Sequence, residues 1–154
     1  MTFVAGAGAA AFVISTIFFL WMGSMHVNIT PPPIYPYALH ASPGGAVADF
    51  GSLLSAYLFV YASGLLAYGW LGVLAMGAEG AKYAGLLLTG GMAVTELFFA
   101  VPQLAGLAGA SLLCEAVFAN GSERKRKMLL AGGLSIGGFL LLLVLHFARG
   151  TLFG

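Results

Sequence analysis

Glu96 and His146 are the two residues whose type and setting most invite chemistry, because each falls inside a long apolar stretch where an ionisable side chain is expensive. Glu96 lies 24 residues before Asn120, about 36 Å along one continuous helix. His146 lies 19 residues beyond Lys127, about 28 Å from the basic cluster that starts the last apolar segment. The two therefore fall at comparable depth, and an interhelical contact between them is expected, as a buried polar or ion site. The structural role that competes with this is a hydrogen-bonded Glu96 carboxyl that fixes helix register, helped by Thr95 or by tyrosines of a neighbouring helix. Glu115 is within reach of an interface, where pairing with Arg124 or Lys125 suffices.

Other chemistries have little to stand on. One cysteine, Cys114, makes neither a disulfide framework nor a multi-cysteine zinc site, and histidines at 26, 40 and 146 show no metal-ligand spacing. A bis-histidine haem needs axial ligands on facing helices, and His146 alone of the three falls within a predicted span. The sequence holds no H-E-x-x-H, no Gly-rich phosphate loop followed by Lys, and no paired carboxylates at local spacing. No catalytic residue and no metal is therefore expected, and no cofactor is predicted, although a bound lipid, pigment or quinone at a subunit interface needs few fixed residues. Most of the six basic side chains sit in one short cluster, which leaves no footprint for a nucleic acid. An enzyme acting alone is not expected.

The elements that position these residues follow from composition. The 154 residues are 60% hydrophobic and 7% charged, far below the roughly 25 to 35% charge of a soluble surface. The chain reads as a single all-α integral membrane domain, residues 1–154, in the form of a four-transmembrane-helix bundle. A span needs about 20 apolar residues, and four stretches meet that: 3–23, 52–76, 83–119 and 128–148. The first ends in Leu20, Trp21 and Met22, where the indole suits an interface. No Lys or Arg precedes Lys82, so this first run lacks the charged start of a secretory signal and reads as a retained span. The third is about twice a minimal span, and Pro102 predicts one long helix kinked there. Five passes or a re-entrant hairpin broken at Pro102 and Gln103 is the competing form.

Arg124, Lys125, Arg126 and Lys127 form a basic anchor in a loop at 120–127, which belongs on the cytoplasmic, matrix or stromal side. With four spans, both termini then lie on the opposite face. The first loop, 24–51, joins the basic loop inside. It carries Pro31, Pro32, Pro33, Pro36 and Pro43 with Tyr35 and Tyr37 between them, and reads as a stiff interfacial strap. The two N-x-S/T triplets, at Asn28 and Asn120, then both face inward and stay unmodified.

Packing signals are stronger than chemical ones. The chain has 23 glycines, and apolar helices in lipid approach one another through small residues. Gly133 and Gly137 form a GxxxG in the last span, and Ala105 with Gly109 and Gly106 with Ala110 repeat the spacing in the third. Tyr57, Tyr61 and Tyr68 fall with Gly64 near one face of the second. The expectation is a small polytopic subunit with a structural or accessory role in a larger membrane complex, respiratory or photosynthetic. Its partners would be membrane lipids and other membrane subunits, in a bacterial or organelle inner membrane. The alternative is a homo-oligomeric ion- or proton-coupled transporter or channel that uses Glu96.

Overall fold

A computed structural model describes residues 2–25, 46–89 and 94–152, with the backbone only at 2, 46–49, 95 and 149–152. The Pro-rich strap, the Asn28 triplet, His26 and His40 lie outside the described residues. Among the described residues the chain is helical apart from short turns, with no strand. It forms α1 (Thr2–Ser24), α2 (Ala46–Gly64), α3 (Trp70–Leu88), α4 (Ala100–Phe118) and α5 (Gly121–Leu152), with short 3-10 turns at Ala67–Gly69 and Val94–Phe99. Four segments are long and apolar enough to cross a membrane: Phe3–Ser24, Ala67–Leu88, Glu96–Phe118 and Gly121–Ala148. The apolar part of α2, Phe50–Gly64, is shorter.

The number of long apolar spans matches the sequence expectation, but two of the four have different bounds. The stretch 52–76 is broken at Leu65–Gly69, where Ala67, Tyr68 and Gly69 all take left-handed backbone, with φ of 48°, 54° and 92°. Only glycine adopts this conformation without steric penalty, so hydropathy gives no hint of a turn inside the apolar run Leu65-Leu66-Ala67-Tyr68. The stretch 83–119 is also not one helix. It divides between the end of α3 and the start of α4, and the break comes before Pro102 rather than at it. Thr89 caps α3, its N–H donating to the Gly85 carbonyl and its hydroxyl to that of Leu86 at 3.1 Å. Gly90 and Gly91 follow in sequence, a helix-stop pattern. Pro102 falls in the first turn of α4, where its missing N–H leaves no required bond unmade.

α1 and α3 run parallel. Phe3 packs edge-on to Trp70 (5.8 Å between ring centres) at one end of the pair, Phe12 does the same with Tyr83 (5.6 Å) further along, and Gly23 abuts Leu88 at the other end. α2 runs antiparallel to α3 across the left-handed turn, and α5 runs antiparallel to α4. α4 is central, touching α1, α2 and α5, and its buried face includes Gln103, Gly106, Leu107, Gly109, Ala110 and Ser111. Its glycines admit specific neighbours: Gly106 lies under the Tyr57 ring of α2, and Gly109 lies against Ala131 and Ser135 of α5.

This arrangement corrects the expected sidedness. The start of α1, the α2–α3 turn and the α4–α5 turn share one end of the bundle, because Gly69 lies against Val4 and Ser111, and Glu115 pairs with Lys127. The start of α1 therefore lies at the same end as the basic cluster rather than opposite it. Ser24, Leu88 and His146 share the other end; Phe50 of α2 contacts His146 there, ring centres 5.2 Å apart. The segment joining α1 to α2 thus begins and ends away from the basic cluster. The cluster itself is not in a loop, since α5 begins at Gly121 and carries Arg124 to Lys127 on its first turns.

The exterior is apolar. Phe3, Ile14, Ile17 and Trp21 on α1, and Leu129, Ile136, Val144 and Phe147 on α5, are all more than half exposed. Contiguous apolar area of this extent is foreign to a water-facing monomer and is suited to hydrocarbon.

Candidate functional site

The most unusual polar group in the bundle is one that the span assignment places in a loop. Glu79 lies at the centre of α3, nine residues from Trp70 and nine from Leu88, so about 13 Å from either helix end. It is fully buried, at 0% exposure, and its Oε2 meets the Lys82 ammonium at 3.4 Å. The Lys82 side chain is 12% exposed, so it is the member of the pair that reaches the exterior. From α4, the Gln103 side chain, itself 1% exposed, interacts with the same carboxyl. Glu79 Oε1 and Gln103 Oε1 are nonetheless both buried without a hydrogen-bond partner.

Local sequence explains how a charged pair comes to be housed there. The segment Gly77-Ala78-Glu79-Gly80-Ala81-Lys82 presents small residues to α1 while Glu79 meets Gln103 of α4. Gly80 makes the closest approach. A Cβ there would overlap the Phe12 carbonyl oxygen and sit 3.0 Å from Thr16 Oγ1. The Thr16 hydroxyl reaches the carbonyl oxygens of both Phe12 (2.8 Å) and Gly80 (3.1 Å), which ties α1 to α3 one residue from Glu79. Two charges in six residues lower the hydropathy of this stretch enough to suggest a loop. The signal against a loop was present: acid and base stand three apart on one helix face, with no proline between them.

The expected site residues lie at the two ends of the bundle. Glu96 lies in the 3-10 turn before α4, partly buried, at the end of the bundle. His146 lies toward the same end, its ring between those of Phe50 and Phe147, with Nδ1 buried and unpartnered. Glu115 pairs with Lys127 at 3.2 Å rather than with Arg124 or Lys125, and Lys127 also meets Glu123 at 3.0 Å. Arg124, Lys125 and Arg126 are exposed. Among the described residues, no group of three or more His, Cys, Asp or Glu side chains could hold a metal ion.

The tyrosine face is not continuous. The buried Tyr57 hydroxyl donates to the Ser135 carbonyl of α5, Tyr61 stacks on Tyr57, and Tyr68 stands in the turn against Phe118.

Comparison with protein-family models, curated proteins and solved structures finds no match to this chain.

The small-residue motifs separate into two groups. Ala105 faces Gly138, and Gly109 faces Ala131 and Ser135, so the α4–α5 seam on the α5 side is Ala131, Ser135 and Gly138. Gly133 and Gly137 are not on that seam. Both are exposed, with nothing within 4 Å of a Cβ at either position, and Gly132 likewise meets nothing.

Proposed function

We propose that the chain is a small polytopic membrane subunit whose α5 packs against an apolar helix of another subunit. The observation that carries this reading is the division of small residues on α5. One face closes the chain's own bundle through Ala131, Ser135 and Gly138, and a second face, with Gly133 and Gly137, has no occupant among the described residues. In lipid, helices associate by close backbone approach and not by a hydrophobic drive between them. A GxxxG turned outward is therefore a surface that a second helix can use and lipid chains do not need. The basic cluster at the start of α5 sets the cytoplasmic side by the positive-inside bias, and the start of α1 shares that side.

Native electrophoresis in mild detergent tests the reading. The chain is expected to migrate with other membrane polypeptides. Gly133→Leu and Gly137→Leu should each abolish co-migration while leaving the helical content of the isolated chain unchanged and its resistance to unfolding no lower. A lone species near 15.8 kDa, a homo-oligomer alone, or co-migration that survives both substitutions refutes it.

A further inference from the structure

We propose that Glu79 and Gln103 form a reversible proton-binding site at the centre of the bundle. The argument begins with two acceptor atoms. Glu79 Oε1 and Gln103 Oε1 belong to fully or almost fully buried side chains that interact across the α3–α4 interface, and neither oxygen has a hydrogen-bond partner. A buried acceptor left unmade carries a desolvation cost of about 1–3 kcal/mol, and an ionised carboxylate at mid-span raises the stakes further. A single proton resolves both atoms. The carboxylate takes up H⁺ to become the acid, and its new O–H donates to Gln103 Oε1. When the proton leaves, the Gln103 amide turns about its last torsion and presents its NH2 to the carboxylate. A primary amide carries both a donor and an acceptor, so one side chain matches both protonation states.

The donor set points to a proton and not to a metal cation. Hard cations such as Ca²⁺ take about six to eight oxygens, whereas the described oxygens here are one carboxyl and one amide. The Lys82 ammonium already lies on Glu79 Oε2 at 3.4 Å and repels a second cation. The same ammonium keeps the ionised form tolerable, and the Lys82 side chain is the partly exposed member of the pair.

The other titratable or charged groups on the elements around α3 are few. α1 contributes none over Thr2–Ser24. α2 contributes Tyr57, already bonded to the Ser135 carbonyl, with Tyr61, and Asp49 is in its first turns. The two 3-10 turns carry Tyr68 and Glu96, and α3 itself adds Tyr83. On α4, Cys114 lies against the Gly64 and Leu65 carbonyls, and Glu115 is held by Lys127 at the basic end. Lys82 is thus the charged group in contact with the Glu79 carboxyl.

Infrared spectroscopy of the full chain in liposomes, titrated in H2O and in D2O, reads the site directly. The expected result is a protonated-carboxyl C=O band that grows as pH falls, disappears reversibly as pH rises, and shifts in D2O. It should vanish in Glu79→Gln, persist in Glu96→Gln, and change frequency in Gln103→Leu, where the acceptor of its O–H is gone. A second variant guards against misfolding of Glu79→Gln. Replacing Asp49 by Asn and Glu96, Glu115 and Glu123 by Gln leaves Glu79 as the sole side-chain carboxyl, and the band should remain. Absence of a Glu79-dependent band at every pH where the chain stays helical, or a band that does not respond to pH, overturns the proposal.

Discussion

Gly80→Ala tests the helix packing on which the rest of the bundle depends. The added methyl would overlap the Phe12 carbonyl oxygen and would stand 3.0 Å from Thr16 Oγ1 and 3.1 Å from the Phe12 carbonyl carbon. Two of these three neighbours are backbone atoms of α1, so no side-chain rotation relieves them and the helices must part. A gap of 0.5–1 Å forfeits roughly a quarter to a half of the dispersion energy between facing atoms, and overpacking of this kind costs about 1–3 kcal/mol. Separation also stretches the 3.1 Å bond from Thr16 to the Gly80 carbonyl, worth about 0.6 kcal/mol within a membrane. Alanine returns about 1 kcal/mol of helix propensity, which leaves a net loss of about 2 kcal/mol.

Gly133→Ala is the matched control. It adds the same methyl where nothing lies within 4 Å, so only the propensity gain of about 1 kcal/mol remains. The two variants should therefore differ by about 3 kcal/mol, more than a hundredfold in the folded-to-unfolded ratio. Reversible unfolding in mixed micelles with increasing anionic detergent, followed by far-UV circular dichroism, reads that difference. Coincident transitions for the two variants would falsify the close α1–α3 approach at Gly80.

Four further outcomes follow from the same geometry. Lys82→Met removes the partner of the buried Glu79 carboxylate and should destabilise by about 3–5 kcal/mol where Glu79 is ionised, and by less as pH falls and the acid forms; the same unfolding assay should show most of the loss recovered in the double variant with Glu79→Leu. Gly69→Ala places a Cβ at φ of 92° and 2.7 Å from Val4 Cγ1, so it should lower stability by more than about 2 kcal/mol, whereas Ala67→Gly, at φ of 48°, should raise it by about 1 kcal/mol. Tyr57→Phe deletes the bond to the Ser135 carbonyl and should cost about 0.6 kcal/mol and at most about 1.7, a small shift that a loss several times larger would contradict. In a Cys114→Ala background, Ser24→Cys and Ser122→Cys should react with a membrane-impermeant maleimide from opposite sides of sealed vesicles, because Ser24 ends α1 at one end of the bundle and Ser122 starts α5 at the other; labelling of both from the same side contradicts this placement of the two helix ends.

Sequence alone determined that this chain is all-helical and too apolar for a water-facing surface. A chain with so few charges has no way to satisfy water over its surface, and its backbone polar groups must then bond internally, which helices achieve segment by segment. It also determined that four long apolar spans exist and that Arg124 to Lys127 mark one end. Tertiary structure decided where the helices break, because the turn at Ala67–Gly69 is built from apolar residues in left-handed backbone and hydropathy averages across it. It decided that Glu79 and Lys82 belong inside a span. A charged pair three residues apart on one helix compensates itself once folded against Gln103, yet in a running average it has the polarity of a loop. It also decided which glycines close the bundle and which look outward, since spacing puts Gly133 and Gly137 on one face but only the position of α4 says that Ala131, Ser135 and Gly138 are the face it covers.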